Sequence, residues 1–130
     1  MEESEKKVLV VDDDEMMLQM AEYILKKDTE FQVFKASSGM QCLRYLQSGD
    51  KFDLILLDIQ MPGLDGIKTM ELIQNHDYWK QIPVMFLTAS SDRDTVLKAG
   101  KLGPVGYIKK PFSPQELLQR VVTFLMLGKL

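Results

Sequence analysis

Apolar and polar positions along this chain fall into blocks, and the blocks change period. Lys7 to Asp12, KVLVVD, is an aliphatic run that stops abruptly in acids, the pattern of a strand buried on both faces. The next segment, DEMMLQMAEYILKKD, places Met17, Met20, Ala21, Ile24 and Leu25 on one helical face. FQVFKA predicts a short second strand. SSGMQCLRYLQSG predicts a second helix, with Ser38 and Gln41 at capping-box spacing and Gly49 at its stop. FDLILLD is an almost wholly apolar third strand, followed by a Pro/Gly loop and a helix over GIKTMELIQNH. IPVMFLTA, DRDTVLKAGKLG and VGYIKK read as strand, helix and strand. SPQELLQRVVTFLML closes the series as a helix with strong start signals: Ser113 as N-cap, Pro114 at the first position and Glu116 at the third.

Five strands alternating with five helices predict an α/β fold, a parallel sheet covered by helices on both faces. Right-handed crossovers leave few topologies, and the flavodoxin-like doubly wound order 2-1-3-4-5 is the common one for five strands. That order puts ligands outside the carboxyl ends of strands 1 and 3. Functional residues should therefore stand where strands end. Strand 1 ends in Asp12, Asp13 and Asp14, strand 3 in Asp58, strand 4 in Thr88, and strand 5 in Lys109 and Lys110. Carboxylates gathered in one cleft are unfavourable unless a proton or a cation offsets them. Hard oxygen donors suit Mg²⁺, which keeps several of its waters. A carboxylate nucleophile, a divalent metal, a hydroxyl and a lysine form a coherent set for phosphoryl transfer. Asp14 reads instead as the cap of the first helix. Of the two lysines, only one can face the site from an extended strand, and Lys110 is the choice.

Composition narrows the partners. The 130 residues contain no internal repeat or linker-like segment, so they read as a single domain, 1–130, with a core of about 7–125. A net charge of -3 argues against nucleic acid as a direct partner. The one cysteine, Cys42, and the one histidine, His76, exclude an intramolecular disulfide and a zinc site of the usual kind. No apolar run approaches the roughly 20 residues of a membrane span. The charged start MEESEKK lacks the apolar stretch of a secretory signal, so a cytoplasmic location is expected. Fingerprints for dinucleotide and P-loop nucleotide binding are absent. The nine methionines are expected to fill the core, and His76 and Trp79 to lie in a loop at the far end of the sheet.

The segments VVDDD, LILLDIQMPGLDG, FLTAS and GYIKKPF, in this order and each closing its strand, resemble the signature segments of response-regulator receiver domains of the chemotaxis-regulator type. The resemblance runs from about Lys7 to Leu125. It implies a phosphoprotein of two-component or phosphorelay signal transduction. Asp58 would accept a phosphoryl group from the phosphohistidine of a sensor histidine kinase or phosphotransfer protein. Asp13 and Asp58 would ligate Mg²⁺ directly, Asp12 through water, and the backbone carbonyl of Gln60 would be a further ligand. Lys110 would contact Asp58 and then the phosphoryl group, Thr88 would move to bond a phosphoryl oxygen, and Tyr107 would swing inward with it. The bond before Pro111 would be cis. Gln60 and Ser90 would tune the lifetime of the acyl phosphate. The surface of the fourth helix, fifth strand and fifth helix would switch and meet a downstream protein.

Two departures bear on that surface. Gly100 falls inside the predicted fourth helix and is expected to leave it frayed. Phe124, Leu125, Met126 and Leu127 exceed one apolar stripe, which suggests a dimer or partner surface, or an excised receiver. Two other functions compete with the switch, which would be an enzyme only towards itself. A Mg²⁺-dependent phosphohydrolase with an aspartyl-phosphate intermediate usually carries an acid two residues after the nucleophile, where this chain has Gln60. A degenerate receiver used only for binding would not need the full set of acids, Thr88 and Lys110.

Overall fold

The strands that are buried at nearly every position occupy the middle of the sheet, and the more polar ones its edges. A computed structural model describes residues 5–89 and 92–127. Its strands are β1 (Lys7–Val11), β2 (Gln32–Ala36), β3 (Leu54–Asp58), β4 (Val84–Thr88) and β5 (Gly106–Lys109). They form one parallel sheet in the order β2-β1-β3-β4-β5. All five residues of β3 and of β4 are buried, whereas the edge strands β2 and β5 each bury one. A strand with neighbours on both sides and helices on both faces has no solvent-facing side, so its sequence shows a run instead of an alternation.

The helices are α1 (Glu15–Lys27), α2 (Gly39–Gln47), α3 (Gly66–Gln74), α4 (Arg93–Gly100) and α5 (Pro114–Leu127). Side chains alternate across the sheet and feed two cores. Leu9, Val11, Ile55, Leu57 and Phe86 pack on one side with Cys42, Leu46, Met70, Ile73 and Ala99 from α2, α3 and α4. Val8, Val10, Leu54, Leu56, Met85 and Leu87 pack on the other with residues of α1 and α5.

Caps fix where the helices begin. Asp14 Oδ1 accepts the N–H groups of Met16 at 3.0 Å and Met17 at 3.4 Å. At α5 the capping box is reciprocal: the Glu116 N–H donates to Ser113 Oγ at 3.1 Å, and the Ser113 N–H donates to Glu116 Oε1 at 2.9 Å. At α2 the box is offset by one residue. Ser38 Oγ accepts the Gln41 N–H, but Gln41 Oε1 accepts the N–H of Ser37 at 2.6 Å. Gly49, past the end of α2, has φ +90°, as a helix stop of this kind requires.

Four expectations change. The buried stripe of α1 contains Leu18 in place of Met20, which is exposed. Apolar residues surround this part of the helix, so the pattern alone leaves its rotation ambiguous. The methionines divide: Met17, Met61, Met70 and Met85 are buried, while Met16, Met20, Met40 and Met126 are exposed. Gly100 is the last residue of α4, so its weakening effect falls on a helix end. Phe124 and Leu125 pack against the core beside α1, which leaves Met126 and Leu127 as the exposed apolar pair of α5.

Candidate functional site

Parallel pairing decides which side chains meet. Val11 of β1 is in register with Leu57 of β3, so the next residues, Asp12 and Asp58, stand level at the carboxyl edge of adjacent strands. Neighbouring strands lie about 4.8 Å apart. Asp13 follows Asp12, and one carboxylate oxygen from each of Asp12, Asp13 and Asp58 falls within 4.8 Å of the other two. Oxygens on opposite sides of one Mg²⁺ would be about 4.2 Å apart, so a small side-chain adjustment lets the three acids share an ion. Asp12 is 1% and Asp58 3% exposed, while Asp13 faces solvent. A cation with its own waters would thus enter from the Asp13 side. Donor type, spacing and access all fit Mg²⁺.

The fourth participant arrives from the edge of the sheet. The Lys110 N–H donates to the carbonyl of Thr88 at 2.9 Å, which extends the β4–β5 ladder by one residue and aims the side chain inward. Lys110 Nζ lies 2.7 Å from Asp12 Oδ2 and 3.3 Å from Asp58 Oδ1. The expected contact with Asp58 is present, and a shorter one with Asp12 accompanies it. Asp12 Oδ1 accepts the Asp14 N–H at 3.0 Å, so both oxygens of this buried carboxylate are engaged. Lys109 is exposed.

Burial raises the pKa of Asp58, and the neighbouring Asp12 charge raises it further; Lys110 opposes both, and the result is about 6. Burial lowers Lys110, but its bonds to Asp12 and Asp58 outweigh that and hold it above the ordinary lysine value. The ammonium is therefore charged and serves as the counter-ion of the acids.

Thr88 is buried at the end of β4. Tyr107 on β5 is half-buried, its ring 6.2 Å from that of Phe86. The Tyr107 hydroxyl lies so near Gly100 that a Cβ there would be 3.2 Å from it. The Lys110–Pro111 peptide is cis. Gln60 is exposed two residues beyond Asp58, and Ser90 lies outside the described residues. Sequence reasoning missed Gly66. The first residue of α3 sits against the backbone that carries Asp58, where a Cβ would be 2.2 Å from the Asp58 carbonyl oxygen and 2.7 Å from Ile59 Cα. Its N–H donates to the Ile59 carbonyl at 2.9 Å. The signal was the pair Asp65–Gly66, a helix cap followed by a residue with no side chain.

Comparison with known proteins agrees with this geometry. The family model of the response regulator receiver domain matches residues 8–122. The chemotaxis protein CheY of Pseudomonas aeruginosa is 32% identical over 115 residues, which is 88% of this chain and 92% of that protein. The alkaline phosphatase synthesis transcriptional regulatory protein PhoP of Bacillus subtilis is 35% identical over 120 residues, 92% of this chain but 48% of its own length. Among solved structures, a CheY-like response regulator receiver domain protein from Methanospirillum hungatei superposes with a TM-score of 0.85 at 26% identity, covering 95% of each chain. The phosphorylated cyanobacterial phytochrome response regulator RcpA gives a TM-score of 0.85 at 25% identity and covers 98% of each chain. Receiver domains are signalling domains, not enzymes in the ordinary sense. With the strand order, the acids and the matched segments in agreement, this chain belongs to the response regulator receiver domain family.

Proposed function

We propose that Asp58 is the phosphoacceptor and that the chain acts as a single Mg²⁺-dependent receiver switch. The observation that carries this is the convergence of Asp12, Asp13 and Asp58 oxygens within 4.8 Å, with Lys110 Nζ 3.3 Å from Asp58. An Asp58 oxygen attacks the phosphorus of a phosphohistidine. The P–N bond breaks as the P–O bond forms, and the leaving imidazole takes the electron pair and then a proton. Asp13, Asp58 and the Gln60 carbonyl would hold Mg²⁺ directly, and Asp12 through water. The ion supplies positive charge beside the phosphoryl oxygens. Lys110 supplies a second positive charge, and its move from Asp12 towards the new acyl phosphate accompanies the reaction. The Thr88 hydroxyl then bonds a phosphoryl oxygen, and Tyr107 follows.

The donor is a sensor histidine kinase or phosphotransfer protein in the cytoplasm. The face of α4, β5 and α5 carries the output, to a downstream protein or to a second copy of the chain. Sedimentation at several concentrations, with and without phosphodonor, tests the homodimer. Incubation with a small phosphodonor and Mg²⁺, followed by intact mass, tests the central reading. One phosphoryl group should be gained and should be absent in Asp58→Asn. Many turnovers of excess donor would make the chain a hydrolase, and no gain at all would make it a binding module.

A further inference from the structure

A cavity of about 940 Å³ opens at the other end of the sheet, between the α2–β3 and α3–β4 connections. Its volume is within the range of sites that hold a ligand or a bound side chain. Phe52, Ile82 and Pro83 give it an apolar floor. Trp79 forms part of its wall, with the imidazole of His76 stacked on the indole at 3.7 Å and 7°. His76 Nδ1 accepts the Tyr78 N–H at 3.2 Å, which holds the imidazole in place.

The charges of the lining are unequal. Among the residues that line it, Asp50, Asp53 and Asp77 outnumber one lysine, Lys51, with Lys80 and Lys7 at its border. Asp53 Oδ2 already accepts the N–H of Lys7 at 2.8 Å. Among the described residues, Asp50 accepts a 3.3 Å bond from the Ser48 hydroxyl, and Asp77, an exposed side chain, makes a 3.7 Å contact with Lys80. A carboxylate has about four acceptor positions, so Asp50 and Asp77 retain most of theirs. Phe52 also shows how such rings are used in this protein: Lys7 Nζ lies 5.7 Å from its centroid and 5.1 Å from that of Phe34.

The carboxylates disfavour an anionic guest, and an apolar guest would cover half-buried Asp50 without giving it a partner. Aromatic rings beside free carboxylates suit a planar cation, which stacks on the rings and bonds the acids in pairs; a guanidinium does both better than an ammonium. We infer that this cavity is a docking site for an arginine-bearing segment of a partner protein, separate from the phosphoacceptor site.

Trp79 is the only tryptophan of the chain and belongs to the cavity wall, so it reports occupancy. The probe is an acetylated, amidated Gly-Arg-Gly-Arg-Gly peptide titrated into the full chain. A saturable change in Trp79 emission is expected, unchanged in Asp58→Asn. The double variant Asp50→Asn, Asp77→Asn should weaken binding roughly fivefold or more. Both positions are on surface loops, and a circular dichroism melt verifies that the variant folds. The double variant Asp28→Asn, Glu30→Gln, which removes two exposed acids elsewhere, should bind as the parent does. The inference is overturned if no saturable change occurs, if the Asp50/Asp77 variant binds equally well, if the Asp28/Glu30 variant is weakened as much, or if spermine binds as tightly as the peptide. None of these outcomes touches the assignment of Asp58.

Discussion

Lys110 and Asp12, 98 positions apart in the chain, form the shortest ion pair of the site at 2.7 Å. Without Mg²⁺ this lysine is the counter-ion of two buried carboxylates. Lys110→Met keeps the apolar stem and removes the charge, leaving Asp12 and Asp58 facing each other. The variant should lose about 3 kcal/mol in urea unfolding in EDTA. Adding Mg²⁺ should recover part of that loss, since a divalent cation replaces the missing charge. Phosphoryl uptake should fall in the same variant.

The raised pKa of Asp58, about 6, makes stability depend on pH. A carboxyl raised in the folded state binds its proton more readily there than in the unfolded chain. Its contribution is complete below the ordinary aspartate value and is lost as pH rises through about 6. Asp58→Asn cannot ionise and escapes that loss. In EDTA at pH 7.5 it should be more stable than the parent by about 2 kcal/mol, with a flatter profile between pH 4 and 6.5. Thermal melts across that window give the comparison.

Mg²⁺ should raise the melting temperature, by an amount worth about 2.7 kcal/mol at a hundredfold excess over its dissociation constant. Asp13→Asn should remove most of the effect. Trp79 should scarcely respond, because about six strand residues at roughly 3.3 Å each separate it from the acids. Strong quenching by Mg²⁺ would contradict the placement of the ion.

Cys42 is fully buried, and burial pushes its thiol up to about 12. It should resist a disulfide reagent at pH 8 in the folded protein and react promptly in denaturant. Thiol titration in both states checks this.

Gly66→Ala should cost about 3 kcal/mol, because the atoms that a Cβ would meet are backbone and cannot rotate away. Phosphoryl uptake should fall with it, as the clash displaces the chain that carries Asp58. An alanine variant with parental stability would contradict the close approach.

The strands and their order were legible because central parallel strands are continuous apolar runs, and LILLD and VMFLT are such runs. The acids were legible because they end those runs. The rotation of α1 was not: Met16, Met17, Leu18 and Met20 satisfy more than one helical face, and only packing against α5 and the sheet selects Leu18 over Met20. The offset box at α2 was hidden for a similar reason, since two adjacent serines share the work: Ser38 Oγ accepts the Gln41 N–H, and Gln41 Oε1 accepts the N–H of Ser37. Lys110 could be assigned to the site, but not its preference for Asp12, which depends on distances that only the folded chain defines.

The three consecutive aspartates behave as a reading frame. Asp12 answers to Lys110, Asp13 lies open to solvent with a carboxylate oxygen within 4.8 Å of those of Asp12 and Asp58, and Asp14 closes the first turn of α1. Each acid differs from its neighbours only in phase, so one residue inserted before them would hand every member its neighbour's post. The inserted residue would take the first post and the ion pair with Lys110 would be lost, while an aspartate would still stand at the second and third.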